Sequence, residues 1–281
     1  MLRLGIIGFP LEHTLSPVMH EAALQHLNIN GEYKAYEIKE GELEKTFKDL
    51  KKQCLRGFSV TIPHKKSIIP LLDELTERAK LIGAVNTVTI EAGGKTIGDN
   101  TDVIGFWDAI PEEIRKNIPK ETTSIIGCGG AANACIAALI MHEAKNIKIY
   151  GRNKDKLNAF KNHLVKMSHR GISTAHIEID LLGNIDLSNT FMLVNTTPLG
   201  MYPNINDSPV SKEELKKLPQ DALVYDIIYN PSETKLLKDA KALNKKTLNG
   251  LEMLIRQGAA SFTIWTGKEA PIEVMRNAVV W

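Results

Sequence analysis

The run Thr123-Ser124-Ile125-Ile126-Gly127-Cys128-Gly129-Gly130-Ala131-Ala132 constrains the fold of this chain more than any other segment. A short apolar run passes abruptly into glycines and then into a stretch, Ala132 to about His142, that is apolar enough to pack on a sheet. That order reads as strand, tight turn and helix. In the G-x-G-x-x-A pattern, Gly127 and Gly129 permit the turn and a close backbone approach, and Ala132 permits close helix packing. The helix N-terminus can then hold a pyrophosphate on its unsatisfied N–H groups. An ordinary strand-to-helix turn also favours glycine, so the context has to decide.

The context agrees. Ile147 to Tyr150 gives a second strand, and Gly151-Arg152-Asn153-Lys154-Asp155-Lys156 follows where an adenine ribose would lie. An NAD enzyme usually places an acid there; this chain has Arg152 and then Lys154, which suit the 2′-phosphate of NADP through charge-assisted bonds. Lys154 and Lys156 also read as the solvated start of a helix near Leu157, and Asp155 suits that helix's first turn. Further strands are expected at Ile177 to Ile179, Phe191 to Val194 and Leu223 to Ile227. Two of them lead into Asn195-Thr196-Thr197-Pro198-Leu199-Gly200-Met201 and Tyr225-Asp226-Ile227-Ile228-Tyr229-Asn230-Pro231, strand-end loops of the kind that hold ligands.

Residues 1 to about 101 alternate between strand and helix patterns. Strands are expected at Leu2 to Ile7, Tyr33 to Ile38, Gly57 to Ile62 and Asn86 to Glu91, the last followed by a Gly93-Gly94 turn. Helices are expected from Pro17 to about Leu27, from Gly41 to about Gln53 and around Leu71 to Ile82. This is a βαβ rhythm. Ser16 reads as the N-cap of the first helix, with Pro17 in its first turn. An amphipathic stretch, Gly105 to Ile118, precedes the glycine run, and a helix beginning near Asn249-Gly250-Leu251 carries Phe262, Ile264 and Trp265 as packing residues.

Three polar segments of the first hundred residues could do chemistry. Val60-Thr61-Ile62-Pro63-His64-Lys65 sets a hydroxyl and an ammonium at the mouth of a strand, and Gly98-Asp99-Asn100-Thr101-Asp102 offers a carboxylate. Gly8-Phe9-Pro10-Leu11-Glu12-His13-Thr14-Leu15-Ser16-Pro17-Val18-Met19-His20 gathers hydroxyls and imidazoles into one turn. A solvated surface ion pair explains Lys65 and Asp102 equally well when each is taken alone. His13 and His64 are alternatives for proton transfer, since free imidazole titrates near neutrality, but turn hydrogen bonding accounts for both.

Together with Asn86 of Gly83-Ala84-Val85-Asn86-Thr87-Val88, these segments resemble the polyol and carboxylate site of the shikimate dehydrogenase (shikimate/quinate dehydrogenase) family, and the resemblance extends in order along nearly the whole chain. It implies an α/β fold: an N-terminal α/β substrate domain at 1–101, completed by C-terminal helices at 251–281, and a Rossmann-like NADP-binding domain with a parallel sheet at 102–250. It implies Lys65 and Asp102 as the catalytic pair. Thr14, Ser16, Thr61, Asn86, Asp102, Tyr229 and Gln257 are implied as substrate contacts. The cofactor positions are Glu77, Gly127, Cys128, Gly129, Gly130, Ala131, Gly151, Arg152, Asn153, Lys154, Lys156, Ile227 and Gly250. The chain departs from the family pattern at Thr14, where Ser is common, and at Asn153, where Thr is common. The implied activity is reversible NADPH-dependent reduction of 3-dehydroshikimate to shikimate, in aromatic amino-acid and chorismate biosynthesis. A quinate/shikimate dehydrogenase with relaxed NAD use, or a non-catalytic ligand sensor, would share much of this pattern.

Composition fits an enzyme and argues against other partners. The 281 residues suffice for two domains, and 43% hydrophobic with 24% charged content is ordinary for a globular protein. The formal charge is only +2 and the 35 basic residues are dispersed, so nucleic acid is not indicated. Cys54, Cys128 and Cys135 have neither paired spacing nor clustered histidines, which argues against a bound metal and fits a reducing, cytoplasmic setting. No apolar run approaches the roughly 18 residues of a membrane span, and Pro10, Glu12 and His13 interrupt the opening one. The sequence does not choose between a monomer and a homodimer.

Overall fold

The opening strand β1 (Leu2–Gly8) buries Leu4, Ile6 and Ile7, side chains that point to both faces, as a central strand of a covered sheet must. In the computed structural model, which describes residues 1–168 and 175–280, β1 leads to α1 (Ser16–His26), β2 (Gly31–Glu37), α2 (Leu43–Lys52) and β3 (Gly57–Val60). Strand β1 pairs in parallel with both β2 and β3, so the expected βαβ rhythm holds this far. Helix α2 buries Leu43, Phe47 and Leu50 against Phe58 and Val88, each worth about 1.5–3 kcal/mol when removed from water.

The rhythm then changes. β4 (Glu74–Leu75), α3 (Glu77–Ile82), β5 (Thr87–Ile90) and β6 (Thr96–Asp99) complete a sheet ordered β2-β1-β3-β5-β6-β4, in which β5 runs antiparallel to both its neighbours. The helix expected over Leu71 to Ile82 is therefore shorter: a 3-10 turn at Ile69–Leu71 and strand β4 occupy its first half. Asp73 causes the break by accepting bonds from the Thr96 N–H (2.8 Å) and hydroxyl (2.7 Å), which fastens this segment to the sheet edge. Thr76 then N-caps α3, accepting from the Ala79 N–H, and left-handed Gly83 ends it.

A second correction concerns Ser16. It is the first residue of α1, with Leu15 in the cap position and no side-chain cap, and its hydroxyl is buried against the Tyr33 hydroxyl instead.

Helix α4 (Asp102–Ala109) is followed by the short α5 (Glu112–Arg115), Pro111 dividing the amphipathic stretch that the sequence suggested as one. Then come β7 (Thr122–Ile126), α6 (Gly130–Met141), β8 (Asn146–Gly151), α7 (Lys154–Ser168), β9 (His176–Leu181), β10 (Thr190–Asn195), α8 (Lys212–Leu215), β11 (Leu223–Asp226), α9 (Lys235–Lys241) and β12 (Lys246–Leu248). These strands form one parallel sheet ordered β12-β11-β10-β7-β8-β9. Strand order reverses between β7 and β10, the place where open α/β sheets bind ligands. Helix α6 is buried on nearly all sides, from Ala132 to Ile140, which its alanines allow by letting backbones approach closely.

Helices α10 (Leu251–Thr266) and α11 (Ile272–Asn277) end the chain. The chain divides into two compact units, Met1–Gly105 with Leu254–Trp281, and Phe106–Met253. Within the first, Phe262 and Trp265 are buried and the Trp265 indole donates to the Val88 carbonyl at 3.0 Å. Ile264, expected to pack, is 38% exposed, because α10 turns that side outward. Among the described residues, no helix is long and apolar enough to cross a membrane.

Candidate active site

In the first unit, the ends of neighbouring strands gather the polar segments. Thr61 N–H donates to the Ile7 carbonyl, Val60 N–H to that of Asn86, and Asn86 N–H to that of Asp99, so the residues after β1 and β3, before β5 and after β6 share one edge of the sheet. There Lys65 Nζ lies 2.5 Å from Asp102 Oδ2, with the side chains 20% and 7% exposed. Asn86 Nδ2 donates to Asp102 Oδ1 at 2.8 Å and to Gln257 Oε1, on α10, at 3.2 Å. The Lys65 and Asp102 side chains are thus not a solvated surface pair.

Thr14 and Ser16 lie in the turn after β1, where Thr14 Oγ1 accepts from the Ser16 N–H at 3.4 Å. Thr61 is partly buried beside Gly8; a Cβ added to Gly8 would stand 2.3 Å from Thr61 Cγ2, so the close approach of the two loops requires glycine. His64 is buried with Nε2 2.7 Å from the Ile38 carbonyl, a structural bond, but one across 26 residues and not the turn bond expected for it, and His13 is exposed. Glu77 is in the first turn of α3, its carboxylate paired with Lys80 at 2.7 Å.

In the second unit, Gly127 has φ +119, and a Cβ there would collide with Thr196 Oγ1 at 2.3 Å. The Thr196 N–H and hydroxyl both donate to the Ile126 carbonyl, which ties the β10 loop to the glycine turn. Gly129 is different. It is exposed, its φ of −93 suits any residue, and a Cβ there would meet nothing within 4 Å. Protein packing therefore does not demand glycine at 129, whereas a phosphate lying against the backbone would. Gly129 occupies the cap position of α6 with no side-chain cap, and with Cys128, Gly130 and Ala131 it leaves the helix N-terminus accessible to an anion.

Gly151 ends β8 against Leu157, and Arg152 follows, exposed. Among the described residues, Arg152, Lys154 and Lys156 have no acidic ion-pair partner. Asn153 Oδ1 accepts from the Lys156 N–H at 2.9 Å and so caps α7, a role Asn performs as well as Thr. Tyr229 and Ile227 follow β11, both partly buried. Gly250 is buried where a Cβ would stand 1.9 Å from the Ile227 carbonyl oxygen, so close backbone approach accounts for that glycine.

A model of the shikimate dehydrogenase substrate binding domain matches residues 6–88, and one of the shikimate 5′-dehydrogenase C-terminal domain matches residues 250–280. The shikimate dehydrogenase (NADP+) of Methanocaldococcus jannaschii is 44% identical over 278 residues, 99% of this chain and 95% of its own length. The chain belongs to the shikimate dehydrogenase family. A crystal structure of a shikimate dehydrogenase in complex with NADP+ matches with a TM-score of 0.89 at 43% identity, over 99% of this chain and 94% of that one. The shikimate 5-dehydrogenase of Listeria monocytogenes, solved with shikimate and NAD, matches at 0.87 with 30% identity, over 100% and 96%.

Two features of this family member were not singled out from its sequence. Asp226, fully buried at the end of β11, accepts from Asn195 Nδ2 (3.1 Å), the Thr234 hydroxyl (2.7 Å) and the Ile228 N–H (3.2 Å). Burial pushes its carboxyl up to about 6 against the opposing pull of these three bonds. It joins the β10 loop, the β11 loop and the N-terminus of α9, which Thr234 caps. The second is a set of hydroxyls, Thr87, Thr101 and Ser261, packed around Asn86. The one available signal was the i, i+4 spacing of Ser261 from Gln257 on α10.

Proposed function

We propose that this protein is an NADP-dependent shikimate dehydrogenase, an oxidoreductase that reversibly reduces 3-dehydroshikimate to shikimate in aromatic amino-acid biosynthesis. The observation that carries the mechanism is the 2.5 Å contact between Lys65 and Asp102 inside a hydrogen-bonded, largely buried set. Two such groups held together can move a proton to or from a substrate oxygen, which solvated surface residues do poorly.

Bound NADP would supply the hydride chemistry. The residues that suit it are the Gly127–Ala131 turn for the pyrophosphate and Arg152, Asn153, Lys154 and Lys156 for the 2′-phosphate. Gly151, Ile227, Gly250 and Glu77 are carried as cofactor positions by the resemblance alone. The open space over Gly129 and the exposure of Arg152, which has no acidic ion-pair partner among the described residues, support this fit.

The chain's own work is positioning, charge stabilisation and proton delivery. Thr14 and Ser16 would hold the substrate carboxylate. Thr61, Asn86, Asp102 and Gln257 would orient its hydroxyls, with Tyr229 as a further contact. In the reducing direction the Lys65 ammonium stabilises the negative charge that grows on the substrate's carbonyl oxygen and gives it a proton; in the reverse direction the pair takes that proton back. Asp102, held by Asn86, keeps the ammonium directed at that oxygen.

The free thiols of Cys54, Cys128 and Cys135 support a reducing, cytoplasmic setting, and the enzyme would act as a monomer or homodimer. The deciding assay follows reduced-cofactor formation with shikimate or quinate, each with NADP or NAD. Shikimate with NADP should give the highest kcat/KM. No turnover of any pairing would overturn the reading, and equal turnover of quinate with NAD would replace it by a quinate/shikimate dehydrogenase.

A further inference from the structure

Thr87, Thr101 and Ser261, each fully buried, form a triangle of hydroxyls behind the Lys65–Asp102 pair. Ser261 Oγ stands 2.7 Å from Thr87 Oγ1 and 2.9 Å from Thr101 Oγ1, and the two threonine oxygens are 3.1 Å apart. These residues come from the start of β5, the turn after β6 and the C-terminal helix α10.

A hydroxyl has one proton to donate, so the protons can be counted. Ser261 donates to Thr87 at 2.7 Å, a shorter contact than the 3.0 Å to the Gln257 carbonyl one turn earlier, and its oxygen is then free to accept from Thr101. Thr87 donates to Asn86 Oδ1 at 2.8 Å. Asn86 Oδ1 also accepts the Thr101 backbone N–H at 2.7 Å, which fills both of its lone pairs. The amide can then face only one way: Nδ2 points to Asp102 Oδ1 at 2.8 Å. With Oδ1 engaged, Asp102 presents Oδ2 to Lys65.

We propose that Thr87 and Ser261 are positioning residues for proton transfer: they lock the Asn86 amide, and through it the Asp102 carboxylate, in the orientation that aims Lys65. This rests on the assignment of Lys65 and Asp102 as the catalytic pair. Neither Thr87 nor Ser261 reaches the lysine itself, so each acts through Asn86. A hydroxyl triangle that only filled space would behave differently, because Thr and Val have nearly the same shape.

The test measures kcat and both KM values for shikimate oxidation with NADP in Thr87→Val, Thr87→Ser and Ser261→Ala, with thermal unfolding of each variant as a control. Thr87→Val should lower kcat at least about fivefold, the effect of one lost hydrogen bond, while both KM values stay within about twofold. Thr87→Ser, which keeps the hydroxyl, should restore kcat to within about twofold of the parent, and Ser261→Ala should lower kcat by a smaller factor. Unchanged kcat in Thr87→Val, or an equal loss in Thr87→Ser, overturns the positioning role. If Thr87→Val does not fold, the same split between kcat and KM in Ser261→Ala decides the matter. A parent protein inactive on shikimate would instead bring down the functional reading and this inference with it; an active parent with unchanged variants removes this inference alone.

Discussion

Around Lys65 and Asp102 the polar atoms are held by other side chains of the protein, whereas Gly129 and Arg152 are exposed and, among the described residues, Arg152 has no acidic ion-pair partner. Asp102 is 7% exposed and has Asn86 on one oxygen and Lys65 on the other. Gly129 has open space where a side chain would be, at the uncapped start of α6. The difference suits the two tasks proposed for these regions. Proton transfer needs groups fixed before substrate arrives, since reorientation during the reaction raises the barrier. Phosphate binding needs donors that the protein itself has not used, since the ligand completes them.

Breaking the closed side should have the largest effect. Lys65→Met should lower kcat by at least about 10²-fold while the shikimate dissociation constant changes much less, because the loss falls on proton transfer. Stopped-flow turnover and equilibrium titration measure the two separately, and near-normal turnover would remove Lys65 from the mechanism.

Asp226 sharpens the comparison, for it is a closed, buried network in the same unit as Gly129 and Arg152. Its folded value of about 6 lies above the ordinary carboxylate value of 3.8, so the protonated form is the one that folding favours. Its contribution to stability is therefore present below about pH 4 and is lost as pH rises through about 6, by up to roughly 3 kcal/mol. Urea unfolding from pH 4 to 7 should show this slope in the parent, and Asp226→Asn should remove it; the same slope in both proteins would refute the assignment.

On the open side the effects should be confined to the cofactor. Arg152→Ala should weaken NADP binding by about 1.5–3 kcal/mol, the range of a charge-assisted hydrogen bond, and leave NAD binding nearly unchanged. Equal losses for both would mean that Arg152 stacks on the adenine or supports the loop. Smaller still, Gly129→Ala should weaken NADP at least about tenfold without lowering the melting temperature, because its methyl meets only the ligand. Gly127→Ala should destabilise the folded protein itself, since its φ and the Thr196 contact both oppose a side chain. A similar melting temperature for the two variants would erase the distinction between them.

The sequence was most legible where the determining contacts are local. The glycine turn, the helix after it and the basic segment after β8 lie within about thirty residues, and strand, turn and helix signals there agree. The largest failure, the helix expected over Leu71 to Ile82, occurred where Asp73 binds Thr96 across 23 residues and fastens the segment to a sheet edge instead. Ser16 failed as an N-cap for the same reason: its hydroxyl found Tyr33, a tertiary partner, in place of the helix start.

By itself the sequence determined the α/β class, the glycine turn between strand and helix, the positive charge at Arg152 and the candidacy of Lys65 and Asp102. These follow from residue type and short-range order. Only the tertiary structure decided that Lys65 meets Asp102 across 37 residues, that Asn86 bonds Gln257 across 171 and that Thr87 bonds Ser261 across 174. Hydrogen bonds act over about 3 Å and carry no trace in the spacing of residues so far apart along the chain, so side-chain pairing of this range is fixed by how strands and helices pack.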